Sequence, residues 1–248
     1  MENIIQIKSL KKSYTYSHLW TKTVTTALNG IDLEVKNNEI FAFIGLNGSG
    51  KTTTIKLLLG LLSRDSGSFS IFGSDSVNNN IKKKIGYLPE IPYFDKKFTP
   101  REMLRFWGSL SGISGSYLEE RISIVLKYTS LADVIDRKLK GFSRGMLQRL
   151  GLSQALLADP QLLILDEPMG GLDPKGIIDM RNLMKKLKSD GKTIFFSSHI
   201  IAEVQKIADR VAILHKGTVL KTIEPGNDLE NNFLDLIGES DINDKTAY

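Results

Sequence analysis

A chain of 248 residues is long enough for one large domain, or for one domain carrying an insert. At 41% apolar and 25% charged, with 21 Gly and 7 Pro, it has ordinary globular composition, which excludes collagen, a disulfide mini-protein and wholesale disorder. The absence of cysteine removes thiol catalysis, cysteine-bound zinc, iron–sulfur clusters and disulfides, and three histidines (His18, His199 and His215) are too few for a histidine-rich metal site. A net charge of +5 suits nucleic acid, anionic lipid and phosphorylated ligands alike, and so selects none of them.

Apolar runs such as 55–62 and 162–165 fall well short of the ~20 residues of a membrane span. Residues 1–10 carry charge early and lack the continuous apolar centre of a signal peptide. The expectation is a soluble, cytoplasmic chain; if it works at a membrane, another chain supplies the membrane part.

Residues 4–10 alternate apolar and polar, as a strand does. Tyr14 and Tyr16 follow, and then a polar stretch to Thr26. Alternation returns at 31–35, and 39–44 is a short apolar run ending at Gly45, read as a buried strand that delivers the chain into a glycine-rich turn. A helix over 52–62, a strand over 68–72, a weaker helix over 77–84 and a short strand over 85–88 come next. Thr99, Pro100 and Glu102 have the order of an N-cap, a first-turn proline and an acidic helix start, predicting a helix to about Leu110. Helical spacing recurs over 117–129 (Ile122, Val125, Leu126) and 147–157. Strands return at 162–165, 193–197 and 211–214, with helices over 175–188 and 200–207 between them. The tail 227–248 holds one helical patch, 229–237, before a polar end read as frayed. The pattern predicts an α/β domain over 1–226, interrupted by a helical subdomain at about 91–158, followed by the tail; there is no internal repeat.

Gly45-Leu46-Asn47-Gly48-Ser49-Gly50-Lys51-Thr52 fits G-x-x-x-x-G-K-[ST] in full, between a predicted strand and a predicted helix. Glycines at Gly48 and Gly50 let the loop, with Asn47 and Ser49, turn its N–H groups onto phosphate oxygens at the positive end of a helix. Lys51 would reach the outer phosphates, the Thr52 hydroxyl would ligate Mg²⁺, and Ser49 and Thr53 would add donors. Leu162–Leu165 then ends in Asp166-Glu167-Pro168. A buried parallel strand puts Asp166 at its C-terminal end, where ligands sit in open α/β sheets. Asp166 suits the same Mg²⁺, and Glu167 suits the attacking water. The Asn-Lys-x-Asp that reads guanine does not occur, so the GTPase reading falls.

Gly141-Phe142-Ser143-Arg144-Gly145-Met146-Leu147-Gln148-Arg149 opens the helix before the Asp-Glu strand. Ser143 caps that helix and Gly145 lets its backbone be approached, which makes a second anion site. Here the chain resembles the ATP-binding cassette (ABC) family, whose signature Leu-Ser-Gly-Gly-Gln stands at this place. The resemblance implies a P-loop NTPase fold with an ABC-type core: a mixed sheet with flanking helices, antiparallel strands at the N-terminus and an inserted α-helical subdomain. It also implies that Ser143 and Gly145 serve the ATP of a second cassette, that Tyr14 stacks on adenine (Tyr16 being the weaker candidate), and that Gly171-Leu172-Asp173-Pro174 crosses the interface. His199, in Ser197-Ser198-His199, matches the switch histidine that contacts the γ-phosphate; His18 and His215 are read as surface or core residues.

Two departures stand out. Glu90, a candidate for touching Mg²⁺ or water, replaces the usual Gln after 85–89, and Arg144 and Met146 replace the first Gly and the Gln of the signature. Both are similar to the drug, lipid, bacitracin-type and sodium exporter branch. The resemblance therefore implies an ATP- and Mg²⁺-dependent ATPase subunit of an exporter at the cytoplasmic face of the cell membrane. Its partners would be a separately encoded permease and a second ABC subunit, identical or different. The competing class is a soluble ABC ATPase on ribosomes or nucleic acid, for which the clusters Lys82–Lys84, Lys96–Lys97 and 185–188 would be the contacts. Translation-acting cassettes are paired in one chain and DNA-repair cassettes insert heptad arms or zinc sites. This chain has one phosphate loop and neither insert, which disfavours nucleic acid.

Overall fold

The structure is a computed structural model that describes residues 2–18, 21–226 and 228–246. Its contacts divide the chain into two compact units, residues 1–77 with 197–248, and residues 78–196.

In the first unit, β1 (Asn3–His18) and β2 (Thr21–Lys36) pair antiparallel, and β4 (Ser66–Ile71) lines the other edge of β1. Alternation decides which face is inside. Ile5 pairs with Val35 and Ile7 with Leu33, and all four are buried, whereas Lys8 and Glu34 face outward. Strand structure runs well past the 4–10 and 31–35 segments that alternation predicts. Tyr14 pairs with Thr25 and Tyr16 with Thr23, so the described parts of the polar stretch, up to His18 and from Thr21 to Thr26, form a ladder. Its Thr-Val-Thr-Thr run is β-branched and favours the pleat without needing burial.

The same unit holds β3 (Ile40–Ile44), buried at every position and parallel to β8 (Arg210–His215), which pairs antiparallel with β9 (Thr218–Ile223). Strand β9 has no counterpart in the sequence reading, because its side chains are half-buried or exposed and never alternate cleanly. Helix α1 (Lys51–Leu58) stops short of 62, since Gly60 turns left-handed at φ +68. Helix α7 (Ile201–Val204) is one turn instead of the span 200–207. Helix α8 (Leu229–Thr246) outruns the predicted patch 229–237, anchored at its start by buried Leu229 and Phe233.

The second unit carries α2 (Asn79–Lys82), a short piece of the predicted 77–84 helix, and the parallel strands β5 (Ile85–Leu88), β6 (Leu162–Leu165) and β7 (Thr193–Ser198), the last of which leads back into the first unit. Every residue of β6 is buried, as expected for a strand covered on both faces. Helices α3 (Pro100–Leu110), α4 (Gly115–Tyr128), α5 (Arg144–Leu156) and α6 (Pro174–Ser189) complete it. The α3 start is the predicted one. Thr99 Oγ1 accepts from Glu102 N at 3.2 Å, and Glu102 Oε2 accepts from Thr99 N at 2.7 Å, a reciprocal capping box. Leu104, Ile122 and Leu150, one from each of α3, α4 and α5, are buried at the packed helix faces.

Candidate nucleotide site

The predicted residues divide between the two units. Tyr14, Asn47 to Thr53 and His199 belong to the first, and Glu90, Ser143, Gly145, Asp166 and Glu167 to the second.

In the first unit, β3 ends at Ile44 and the loop from Gly45 wraps onto the start of α1. Gly50 is the N-cap at φ +112, and a Cβ there would stand 2.6 Å from Ala27 O and 2.7 Å from Leu28 Cδ2, so only glycine fits. The backbone is pinned from below. Ser49 N donates to Leu46 O at 3.2 Å, and Gly217 N, in the turn between β8 and β9, donates to Ser49 O at 2.9 Å. That supporting turn was missed with β9; the Lys216-Gly217 pair, with both residues at positive φ, is the signal that marks it.

No side chain caps α1 and no acidic residue stands in its first turn, so its N-terminal N–H groups and partial positive charge suit an incoming anion. Lys51 is buried, its ammonium donating to Gly45 O at 2.7 Å and Leu46 O at 3.3 Å. Ser49 Oγ is buried with no hydrogen-bond partner, a cost of about 1–3 kcal/mol that a phosphate oxygen would remove. Tyr14 is tied to this loop: its hydroxyl lies 3.4 Å from Thr53 Oγ1, and its ring 6.5 Å from that of Tyr16, which is far more exposed. His199 is exposed immediately after β7, where Ser198 Oγ accepts from Ile200 N at 3.0 Å. His215 is buried at the end of β8, and the His18 side chain lies outside the described residues.

In the second unit, β6 delivers Asp166 and Glu167, both buried, and Asp166 N donates to Leu88 O at 2.8 Å on the neighbouring strand β5. Glu167 stands at φ +48, a left-handed conformation that costs a residue with a side chain about 1–3 kcal/mol. A tight turn closes over it, with Gly170 N donating to Glu167 O at 2.9 Å. Glu90 is exposed just past β5. Tyr87 was not singled out from sequence. Burial and then the Asp166 carboxylate push its hydroxyl up to about 12, so it keeps its proton well above neutral pH.

Ser143 is the predicted N-cap of α5, its Oγ accepting from Met146 N at 3.2 Å. Gly145 has no internal reason to be glycine. It is not at positive φ, and a Cβ would meet only Leu172 Cδ2 at 3.7 Å and Ser143 Oγ at 3.9 Å. With neither its φ nor its neighbours requiring glycine, this position fits an approach from outside the chain. Among the described residues, no group of three or more His, Asp or Glu could hold a metal unaided. In nucleotide sites generally, Mg²⁺ is held by one or two carboxylates together with phosphate oxygens.

The ABC transporter family model matches residues 28–170. The chain is 41% identical over 220 residues to an uncharacterized ABC transporter ATP-binding protein of Nostoc sp., covering 88% of this chain and 65% of that one; it thus spans just under two thirds of that relative's length. It is 40% identical over 226 residues to the bacitracin transport ATP-binding protein BcrA of Bacillus licheniformis, covering 90% of this chain and 70% of BcrA. Among solved structures, it is similar to an ATP-binding subunit of an ABC transporter, with 31% identity, a TM-score of 0.78 and 95% of each chain covered. With the phosphate loop, the Asp-Glu strand end and the Ser143 helix each formed as their residues require, and with the family model spanning all three, the chain belongs to the ABC transporter family.

Proposed function

We propose that this chain is the ATP-binding and ATP-hydrolysing subunit of an exporter, working as a pair of cassettes on a separately encoded membrane permease. The phosphate loop carries the reading: an uncapped helix start, a buried lysine and a buried hydroxyl without a partner converge on one turn of backbone. Resemblance to BcrA, a bacitracin transport protein, supports transport. Support for a docking partner comes from the second unit, where Ile91, Tyr93, Phe106 and Leu110 are exposed, Tyr93 at 90%. Among the described residues no helix is long and apolar enough to cross a membrane, so the permease is a different chain or segment.

In this reading Asn47, Gly48, Ser49, Gly50, Lys51 and Thr53 hold the phosphates and Tyr14 stacks on adenine. Thr52, Asp166 and Glu90 hold Mg²⁺, which neutralises charge on the phosphate oxygens when bound. Glu167 orients the attacking water and takes its proton, and His199 donates to the γ-phosphate. Ser143 and Gly145 close on the ATP of the second cassette, identical or different, at the cytoplasmic face of the membrane.

Glu167→Gln is expected to bind ATP as the parent does and to lose turnover by about 100-fold or more. Because Glu90 offers a second carboxylate, Glu90→Gln is measured beside it. Hydrolysis that survives Glu167→Gln and disappears with Glu90→Gln would exchange the two roles.

A further inference from the structure

The first turns of α5 and the loop that follows Glu167 lie against each other, and the contacts are not those that the signature residues alone demand. Gln148 Nε2, buried, donates to Pro168 O at 3.5 Å, and Leu172 Cδ2 lies to one side of Gly145, 3.7 Å from where a Cβ would stand. Arg144, at the start of the same helix, meets the same loop. A Cβ built on Gly171 would overlap the Arg144 guanidinium, meeting its Cζ and Nη1 and coming within 2.7 Å of Nε, so the guanidinium faces the Gly171 backbone at close range. Beyond Gly171 the chain is fixed again, where Asp173 caps α6 by accepting from Gly176 N at 2.7 Å.

Arg144 occupies an electrostatically poor place. It is the first residue of α5, where the helix end is partially positive, and no acidic residue stands in that turn. Among the described residues it has no carboxylate partner. What it does have is Gly171, a residue at φ +67 that has no side chain to hold it in place. Four residues upstream is Glu167, whose own left-handed backbone persists only if the surrounding turn is over-determined.

We propose that Arg144 is a positioning residue for ATP hydrolysis, clamping the Gly171 backbone so that the loop behind Glu167 keeps that carboxylate aimed. This rests on the role given to Glu167 above. The pair is matched in shape: the guanidinium stands where a side chain at position 171 would be, and the turn closed by Gly170 N leaves that position to it.

The test is a cycle of Arg144→Ala, Gly171→Ala and the double variant, with ATP affinity, kcat and thermal midpoint measured for each and Glu167→Gln run in parallel. The methyl of Gly171→Ala pushes the guanidinium aside while leaving Arg144 in the chain, and its strain at φ +67 is read from the thermal midpoint and is shared by the double variant. Each single variant is expected to lower kcat at saturating ATP about tenfold, since small misplacements of a catalytic group are costly. The Kd for ATP stays within twofold, and the double variant is no slower than the slower single, because nothing remains to be displaced. A KM increase at unchanged kcat in Arg144→Ala would make the residue a ligand contact and overturn the positioning role. So would kcat losses that multiply in the double variant, or Arg144→Ala turnover within twofold of the parent while Glu167→Gln is inactive. Hydrolysis that survives Glu167→Gln would instead overturn the reading of Glu167 on which the role rests.

Discussion

Gly50 of the phosphate loop and Gly145 of the signature are both motif glycines in sequence, yet the structure separates their reasons. At Gly50 the backbone at φ +112 and the nearness of Ala27 O leave no room for a Cβ. Gly50→Ala is therefore expected to weaken ATP binding at least tenfold, the equivalent of about 1.4 kcal/mol and within the cost of a strained backbone. Titration with a fluorescent ATP analogue measures this, and an unchanged circular dichroism spectrum would localise the defect to the loop. An affinity equal to the parent's would show that the loop shape does not govern phosphate binding. The phosphate-loop motif, and with it the family, was legible because phosphate chemistry restricts such a loop to few residue types at fixed spacing. The left-handed backbone at Glu167 was not, since it comes from the turn closed by Gly170 N and not from the glutamate's own preference.

Among the elements, α3 was the most legible, because its start is written in side chains: Thr99, Pro100 and Glu102 each do locally what the sequence implies. The hydrogen bond from Thr99 N, and then Lys138, hold the Glu102 carboxyl below its ordinary value of 4.5. A lowered folded-state value means that this contribution is complete above 4.5 and is lost as pH falls through the lower folded value. Urea unfolding should thus show a midpoint that falls on acidification from about pH 5, and Glu102→Gln should remove part of that fall. An equally steep acid fall in Glu102→Gln would deny the cap its titration. Thr99→Ala is expected to cost about 1 kcal/mol at neutral pH by the same assay. The β1–β2 ladder beyond Tyr14 and strand β9 were illegible for one shared reason. Their residues, such as Tyr16, Thr23 and Thr218, are largely exposed, so pairing and not burial makes them strands, and alternation reports only burial.

For the whole molecule, the motifs fall into two compact units of one chain, with the phosphate loop in the first and both the Asp-Glu strand end and the Ser143 helix in the second. A single chain thus carries one loop and one Ser143 surface, and Gly145 is open to approach without any demand from its own backbone. Two chains arranged head to tail would use both. The most direct measurement is the mass of the Glu167→Gln protein by light scattering, with and without ATP and Mg²⁺. A slow-hydrolysing variant should accumulate as a dimer with ATP and remain a monomer without it. Adding Gly145→Asp, whose Cβ meets nothing closer than 3.7 Å, should leave ATP bound and the chain monomeric, since a carboxylate against the γ-phosphate repels it in a dry interface. A Glu167→Gln protein that binds ATP and stays monomeric, or a Gly145→Asp protein that dimerises as well as its parent, would contradict the shared site.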